Sequence, residues 1–318
     1  MTGGAAGEAG AIWLDGSFVS REEARISAFD AGFQHGMGLF ETMLARGGRV
    51  MHLGRHLCRL RDSARELRLS DRLRIAPLAA AVEATLARAS IGDARIRVTI
   101  SGGGLNLLRD QGRPGDPTIL IAVQPPTAYP AVLFERGARA VVADGRLNPL
   151  DPFAGHKTLD YWSRLAALRD AAERGLDEAI WCAVTNHLAG GSVSNLIVVR
   201  EGRVLTPLAR GEEPPGALRS PVLPGVIRAT ILEQASREGL EVERRLLSIE
   251  DLLRAEEACL VNSSWGVMPL VALEGATIGE GRPGPIVRGF REAWLADAGD
   301  EPLEASDEGE VPEILDGD

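Results

Sequence analysis

Apolar and polar residues alternate through IWLDGSFVS, residues 12–20, on both sides of Asp15-Gly16, a dipeptide suited to a two-residue hairpin turn. The same pattern recurs in LFETMLARGGRVMHL about Gly47-Gly48 and predicts a second hairpin. From Gly54 the period lengthens. Leu57, Leu60, Ala64 and Leu67 recur at three and four residues, the spacing of one helix face, and a second helix is expected over residues 75–89. ARIRVTISGG and DPTILIAV read as strands on either side of a glycine-rich and polar segment, and the prolines of VQPPTAYP mark a domain boundary.

The second half opens on an expected strand at residues 138–143, followed by a helix at 161–174 and a strand in DEAIWCAV with a turn at Asn186. SNLIVVREGRVLTP reads as a hairpin about Glu201-Gly202, and residues 226–238 as a helix after the breaker LPG. Two short strands near CLVNSS and VALEG and a last helix at 284–296 complete the pattern, with residues 209–221 as a surface loop. Hairpins and helices without regular alternation point to an α+β fold and away from a doubly wound sheet. No repeat of fixed period is present. The expected division is a small N-terminal domain over 11–125, a linker at 126–130 and a larger domain over 131–298.

Charge changes this picture at one end. The net charge is −10, yet nine carboxylates and no basic residue lie between positions 300 and 318, so that stretch is expected to be a solvated, disordered tail. The remaining body is close to neutral, which disfavours nucleic acid as its main partner. The longest uncharged run, residues 117–134, is interrupted by Pro125, Pro126 and Pro130 and cannot form a membrane-spanning helix. The first residues carry no export-signal pattern, and Cys58, Cys182 and Cys259 show no CxxC spacing, so a reduced, cytoplasmic protein without disulfide framework or zinc is expected.

The basic residues are more informative. Of 35, one is lysine, Lys157 in DPFAGHKTLDYW, and the rest are arginine. On a solvated surface either residue serves, so an amine retained in so arginine-rich a chain suggests a task that needs an amine. A guanidinium keeps its proton and cannot form an imine, whereas a lysine can lose its proton and attack a carbonyl. The five histidines, at 35, 52, 56, 156 and 187, have no ligand spacing and read as structural.

In order along the chain, IWLDGSFV, DAGFQHGMGLFET, HLCRLRDSARELRL, HKTLDYW, GGSVSNLIVV, VLTP, LPGVIR and AEEACLVNSSWGVMPL resemble the class IV (fold-type IV) pyridoxal-phosphate enzymes, from about Ile12 to Leu295. These are the branched-chain and D-amino-acid aminotransferases and 4-amino-4-deoxychorismate lyase. The resemblance implies a two-domain α+β fold with a smaller N-terminal α/β domain and a larger β-barrel-like C-terminal domain. It also implies pyridoxal 5'-phosphate as cofactor, small amino and keto acids as substrates, and a homodimer, with no membrane partner.

By position, the resemblance makes Lys157 the Schiff-base lysine and the carrier of the substrate Cα proton. Arg59 resembles the arginine that contacts the cofactor phosphate. In LPGVIR the backbone amides of Val226 and Ile227 would open a helix toward that phosphate. Ser263 and Ser264 sit where relatives offer hydroxyls to it, although two loop serines also serve as plain turn formers. Tyr161, four residues after Lys157, is expected on the same helical side and within reach of the cofactor, or else in the core with its hydroxyl satisfied. Phe40 and Glu41 fill the "F/Y-E" motif on a strand facing the substrate, and Ser194 of the SVSN loop is placed with them.

Two departures from the family pattern stand out. Where relatives carry a glutamate that pairs with the pyridine nitrogen, this chain has Gly190 in LAGGSVSN. Without that acid the electron sink is weaker, which leaves a slower transaminase, a reaction that needs less of the sink, or a protein that binds cofactor without turnover. After RVTIS, where many relatives have an arginine-glycine pair, the chain has Gly102, Gly103 and Gly104, and Arg97 and Arg109 are the candidates for a substrate carboxylate. Amino transfer is the expected reaction and the lyase its rival.

Overall fold

The computed structural model describes residues 9–104 and 116–297. Arg109 and the acidic stretch from 300 onward lie outside the described residues. Contacts divide the chain after Pro126 into two units.

The first unit contains β1 (Ala11–Leu14), β2 (Ser17–Val19), α1 (Ala31–His35), β3 (Gly38–Arg46), β4 (Arg49–Val50), α2 (Leu53–Glu66), α3 (Ile75–Ala89), β5 (Ala94–Ser101) and β6 (Thr118–Gln124). Its sheet, in the order β2-β1-β6-β5-β3-β4, is antiparallel throughout. Both expected hairpins are present. Asp15 and Gly16, then Gly47 and Gly48, take the positive φ that a tight turn between right-twisted strands demands. Alternation along β3 and β5 puts Leu39, Met43, Ile96, Val98 and Ile100 on one face, where Leu57 and Leu60 of α2 and Val82 and Leu86 of α3 complete the core.

The second unit contains α4 (Val132–Arg136), β7 (Ala138–Leu147), α5 (Trp162–Glu173), β8 (Glu178–Ala183), β9 (Leu188–Gly191), β10 (Asn195–Arg200) and β11 (Arg203–Pro207). It continues through α6 (Val226–Arg237), β12 (Val242–Arg245), α7 (Ile249–Leu253), β13 (Glu257–Asn262), β14 (Gly266–Leu273), β15 (Ala276–Thr277) and α8 (Pro285–Ala296). The sheet order is β12-β11-β10-β13-β14-β7-β8-β9, with β15 attached to β14. This sheet cannot be flat. β9 lies five places from β10, ~24 Å in a flat sheet at the usual strand spacing, yet only residues 192–194 join them, a reach of at most ~15 Å. The sheet therefore curls until the Gly191 amide donates to the Ser194 carbonyl at 3.0 Å.

Curling gives the sheet two unlike faces. Ile180, Cys182, Leu196, Val198, Leu260 and Leu270 fill one, while Ala179, Trp181, Val141 and Ala143 on the other pack beneath α5. The strands depart from the sequence expectation at four places. β7 runs on to Leu147, β14 begins at Gly266, and β9 and β12 are additional strands built from the unpromising segments LAGG and VERR. Among the described residues no helix is long and apolar enough to cross a membrane.

Candidate active site

In the second unit the site begins at Lys157, in the segment that leads into α5. Tyr161 is the residue that caps α5, so Lys157 precedes the helix. The expected shared helical side does not exist, and the turn before the helix brings the two together instead. The Lys157 ammonium donates to the Tyr161 hydroxyl at 3.4 Å and lies 5.3 Å from the ring centroid. One turn further along, Arg164 sets its guanidinium carbon 5.9 Å from the Tyr161 ring and 5.6 Å from that of Trp181. Its Nη1 donates to the carbonyls of Gly191 and Ser192, at 3.3 Å each.

The turn that joins β9 to β10 is fixed from both sides. Trp181 Nε1 donates to Ser192 Oγ at 3.1 Å. From β8, the buried Glu178 carboxylate accepts from the amides of Ala179 at 2.9 Å and Ser192 at 3.1 Å, and from Ser194 Oγ at 3.2 Å. Burial pushes the Glu178 carboxyl above the ordinary carboxylate range, against the lowering effect of those hydrogen bonds. Ser194, expected at the substrate, is thus engaged by Glu178. Gly191 has no room for a side chain because a Cβ would collide with Ser194 Oγ and come 2.7 Å from Glu178 Oε2.

The same turn reaches α6. Asn195 Nδ2 donates to the Leu223 carbonyl at 2.9 Å, and a Cβ on Gly225 would meet the Asn195 amide. Gly225 caps α6 without a side-chain bond, so Val226 and Ile227 open a twelve-residue helix whose first amides have no side-chain cap. On the other flank, Asn262 Nδ2 donates to Val193 O at 3.2 Å, while its Oδ1 accepts from the amides of Ser264 at 2.9 Å and Trp265 at 3.0 Å. Asn262 therefore ties the Ser263-Ser264 turn to the 192–194 turn.

In the first unit, Phe40 and Glu41 are successive on β3 and so lie on opposite faces of the sheet. They cannot both face one substrate. Arg97, diagonal to Phe40 across the β3–β5 ladder, stacks its guanidinium 3.8 Å from the Phe40 ring centroid and donates to Thr99 Oγ1 at 3.2 Å. Glu41 is on the face covered by α2, where His56 and Arg59 are spaced three apart on one side of the helix. Arg59 forks onto the carboxylate, Nε to Oε1 at 2.7 Å and Nη2 to Oε2 at 2.6 Å, and His56 Nδ1 lies 2.7 Å from Oε2. Burial is the largest influence on Glu41 and raises its pKa. The Arg59 charge, with the His56 and Arg59 hydrogen bonds, outweighs it and holds the carboxyl down at about 2. Burial also keeps His56 below its ordinary value, so at neutral pH the imidazole donates as a neutral ring and Arg59 supplies the balancing charge.

The family model described as amino-transferase class IV matches residues 38–273. The chain belongs to that family. A Methanocaldococcus jannaschii relative of this class IV chain is 30% identical over 284 residues, covering 89% of this chain and 94% of that one. The branched-chain amino acid aminotransferase of Escherichia coli superposes with a TM-score of 0.82 at 27% identity, over 91% of this chain and 94% of the other. The 4-amino-4-deoxychorismate lyase of Pseudomonas aeruginosa superposes at 0.76 with 29% identity, over 90% of this chain and 99% of that one. A further branched-chain amino acid aminotransferase, solved with pyridoxamine 5'-phosphate, has a TM-score of 0.81 at 25% identity over 91% and 93% of the two chains. The class IV chain is thus a pyridoxal-phosphate-dependent enzyme with the two-domain α+β architecture of its family.

The second unit fits that cofactor. A lysine amine stands beside a tyrosine hydroxyl at one end of the 190–195 segment. At the other end, a helix N-terminus lacks a side-chain cap and a serine turn is held by Asn262, a combination suited to a phosphate dianion. Arg164, Glu178 and Trp181 were not among the sequence-level candidates. Arg164 was within reach of sequence reasoning, since it lies three residues from Tyr161 on a predicted helix, and a carboxylate in the otherwise apolar DEAIWCAV strand also signals a buried task.

Proposed function

We propose that this class IV enzyme moves an amino group between a branched-chain-type amino acid and a 2-keto acid, with Lys157 as the amine that holds the cofactor's aldehyde carbon. The single observation that carries this is the placement of the chain's sole lysine against Tyr161, linked through Arg164 and the 190–195 segment to the uncapped start of α6 in a class IV fold. Similarity to branched-chain enzymes along about nine-tenths of the chain supports the substrate class.

Bound there, pyridoxal phosphate supplies a carbonyl for the amino group and a ring that disperses electrons from the reacting carbon. Lys157 would hold and return the proton at the substrate Cα. Tyr161 donates or accepts at the lysine nitrogen and fixes its approach. The amides of Val226 and Ile227 and the hydroxyls of Ser263 and Ser264 hold the phosphate. Within the first unit, Phe40 and Arg97, stacked across the β3–β5 ladder, form an aromatic and basic pair of the kind that suits an amino acid side chain and carboxylate. A homodimer is supported by the exposure of Leu150, Phe153, Trp162 and Leu165, which surround the lysine segment in sequence.

Reduction of the holoenzyme with borohydride and peptide mapping tests the assignment. A pyridoxyl group on Lys157 is expected, and a label confined to the N-terminal amine would sink it. Lyase chemistry, favoured by the Pseudomonas aeruginosa likeness, predicts pyruvate and 4-aminobenzoate from aminodeoxychorismate and no keto acid from leucine.

A further inference from the structure

We propose that Arg164 is the partner of the cofactor's pyridine nitrogen in this chain and holds that nitrogen unprotonated. The proposal rests on the Lys157 reading above. It starts from Gly190, whose φ is 142° and where a Cβ would come 2.7 Å from the Ser194 carbonyl oxygen. A carboxylate cannot stand at 190 without shifting the start of β10, so the loss of the acid is built into the backbone. On the Trp181 side of that position stands a basic group. Gly190 is in register with Trp181 across the β8–β9 ladder, and Arg164 lies over Trp181 while donating to the next two carbonyls, Gly191 and Ser192. Through Tyr161, 5.9 Å away, the guanidinium belongs to the same cluster as Lys157.

The buried acid that touches this loop does not fill the gap. Glu178 alternates with Ala179 and Trp181 and so comes to the turn from the opposite sheet face, where the amides of Ala179 and Ser192 and the Ser194 hydroxyl occupy its two oxygens. Trp181 also fills the space that a larger residue at 145 would need, since a Cβ on Gly145 would come 2.7 Å from the indole. Gly145, Trp181, Gly190 and Arg164 thus form one block that presents an N–H donor where relatives present an acceptor.

The chemistry follows from the donor. A guanidinium holds its protons far above neutrality, so it donates to a pyridine nitrogen without transferring a proton, and the ring stays neutral. A neutral ring disperses less charge from the reacting carbon than a pyridinium, and proton movement by Lys157 then sets the pace. Gly190 marks a change of electronic regime, and cofactor binding does not depend on the missing acid.

The test uses the holoenzyme reconstituted with cofactor carrying nitrogen-15 in the ring. In wild type the nitrogen resonance is expected at the neutral-pyridine position, and in Arg164→Gln it moves away from it. A pyridinium resonance in wild type, or an Arg164→Gln spectrum identical to a neutral wild type, overturns the proposal. Should Arg164→Gln fail to fold, wild type settles it through the ring-N-methyl analogue. That permanent cation is expected to bind at least about tenfold more weakly than pyridoxal phosphate beside an arginine, and equal binding overturns the proposal. Borohydride reduction of the same samples separates the two readings, since an unlabelled Lys157 removes the underlying assignment and a labelled Lys157 under a pyridinium removes only the role of Arg164.

Discussion

Replacing Glu41 by Gln keeps the shape of the side chain and removes its charge, which isolates what the ion pair with Arg59 contributes. The carboxylate is 1% exposed and Arg59 12%, so solvent screens the pair little. The drop of the Glu41 pKa from 4.5 to about 2 corresponds to ~3 kcal/mol of folding free energy at neutral pH, and leaving a buried partner unbalanced costs about 3–5 kcal/mol. The sign is fixed by linkage. A depressed carboxyl stabilises the fold above its unfolded pKa, near 4.5, and that stabilisation is lost as pH falls toward 2. Urea unfolding of the full chain should therefore show Glu41→Gln less stable than wild type by ~3 kcal/mol at pH 7, with the gap narrowing from pH 4.5 downward and closing toward pH 2. A gap below ~1 kcal/mol at pH 7 would place the pair among ordinary surface ion pairs. A gap that is the same at pH 3 and pH 7 would show that packing, and not charge, holds Glu41.

Gly190→Glu should fail to restore the family's acid, because of the Ser194 carbonyl and the φ of 142°; it is expected to lower stability by about 1–3 kcal/mol in urea unfolding, and a stable variant with faster turnover would contradict this. Gly266→Ala sets a Cβ against the Trp294 indole at a φ of 71°, and a loss of ~2 kcal/mol or more in the same assay is expected. Tyr161→Phe should keep borohydride labelling of Lys157 while slowing turnover about tenfold to a hundredfold, and loss of the label would show that the hydroxyl serves to hold the cofactor. Removal of residues 300–318 should leave the cofactor absorbance band intact, and its disappearance would assign the acidic stretch a part in the fold.

The hairpins at Asp15-Gly16, Gly47-Gly48 and Glu201-Gly202 were legible because positive φ is demanded there and the residue pairs that tolerate it are few. Helix α3 was legible to the residue from its period alone. β9 was not, because LAGG has neither β-branched residues nor alternation and becomes a strand only through its ladder with β8. β12, the charged segment VERR, lies parallel to β11 at an edge, where charge protects a strand from further pairing. α7, five residues long, is set by the reciprocal cap between Ser248 and Asp251, a signal visible in SIED but too short to register as a period. At the candidate site, Lys157 was singled out by residue type, whereas its approach to Tyr161 was predicted through a helix that starts only after both.

The 190–195 segment shows why a departure is easier to read than its compensation. Gly190 is visible as a missing acid because one position changes one residue type. The response is spread over Gly145 on β7, Arg164 on α5, Trp181 on β8 and Gly191 in the turn, four positions that the curled sheet brings together and sequence distance does not. Arginine was also the residue least able to announce itself, since 34 of 35 basic positions carry it and one more adds no contrast. The same skew that singles out Lys157 hides Arg164. On the proposed reading, composition points to the group that must lose a proton, and the fold to the group that must keep one.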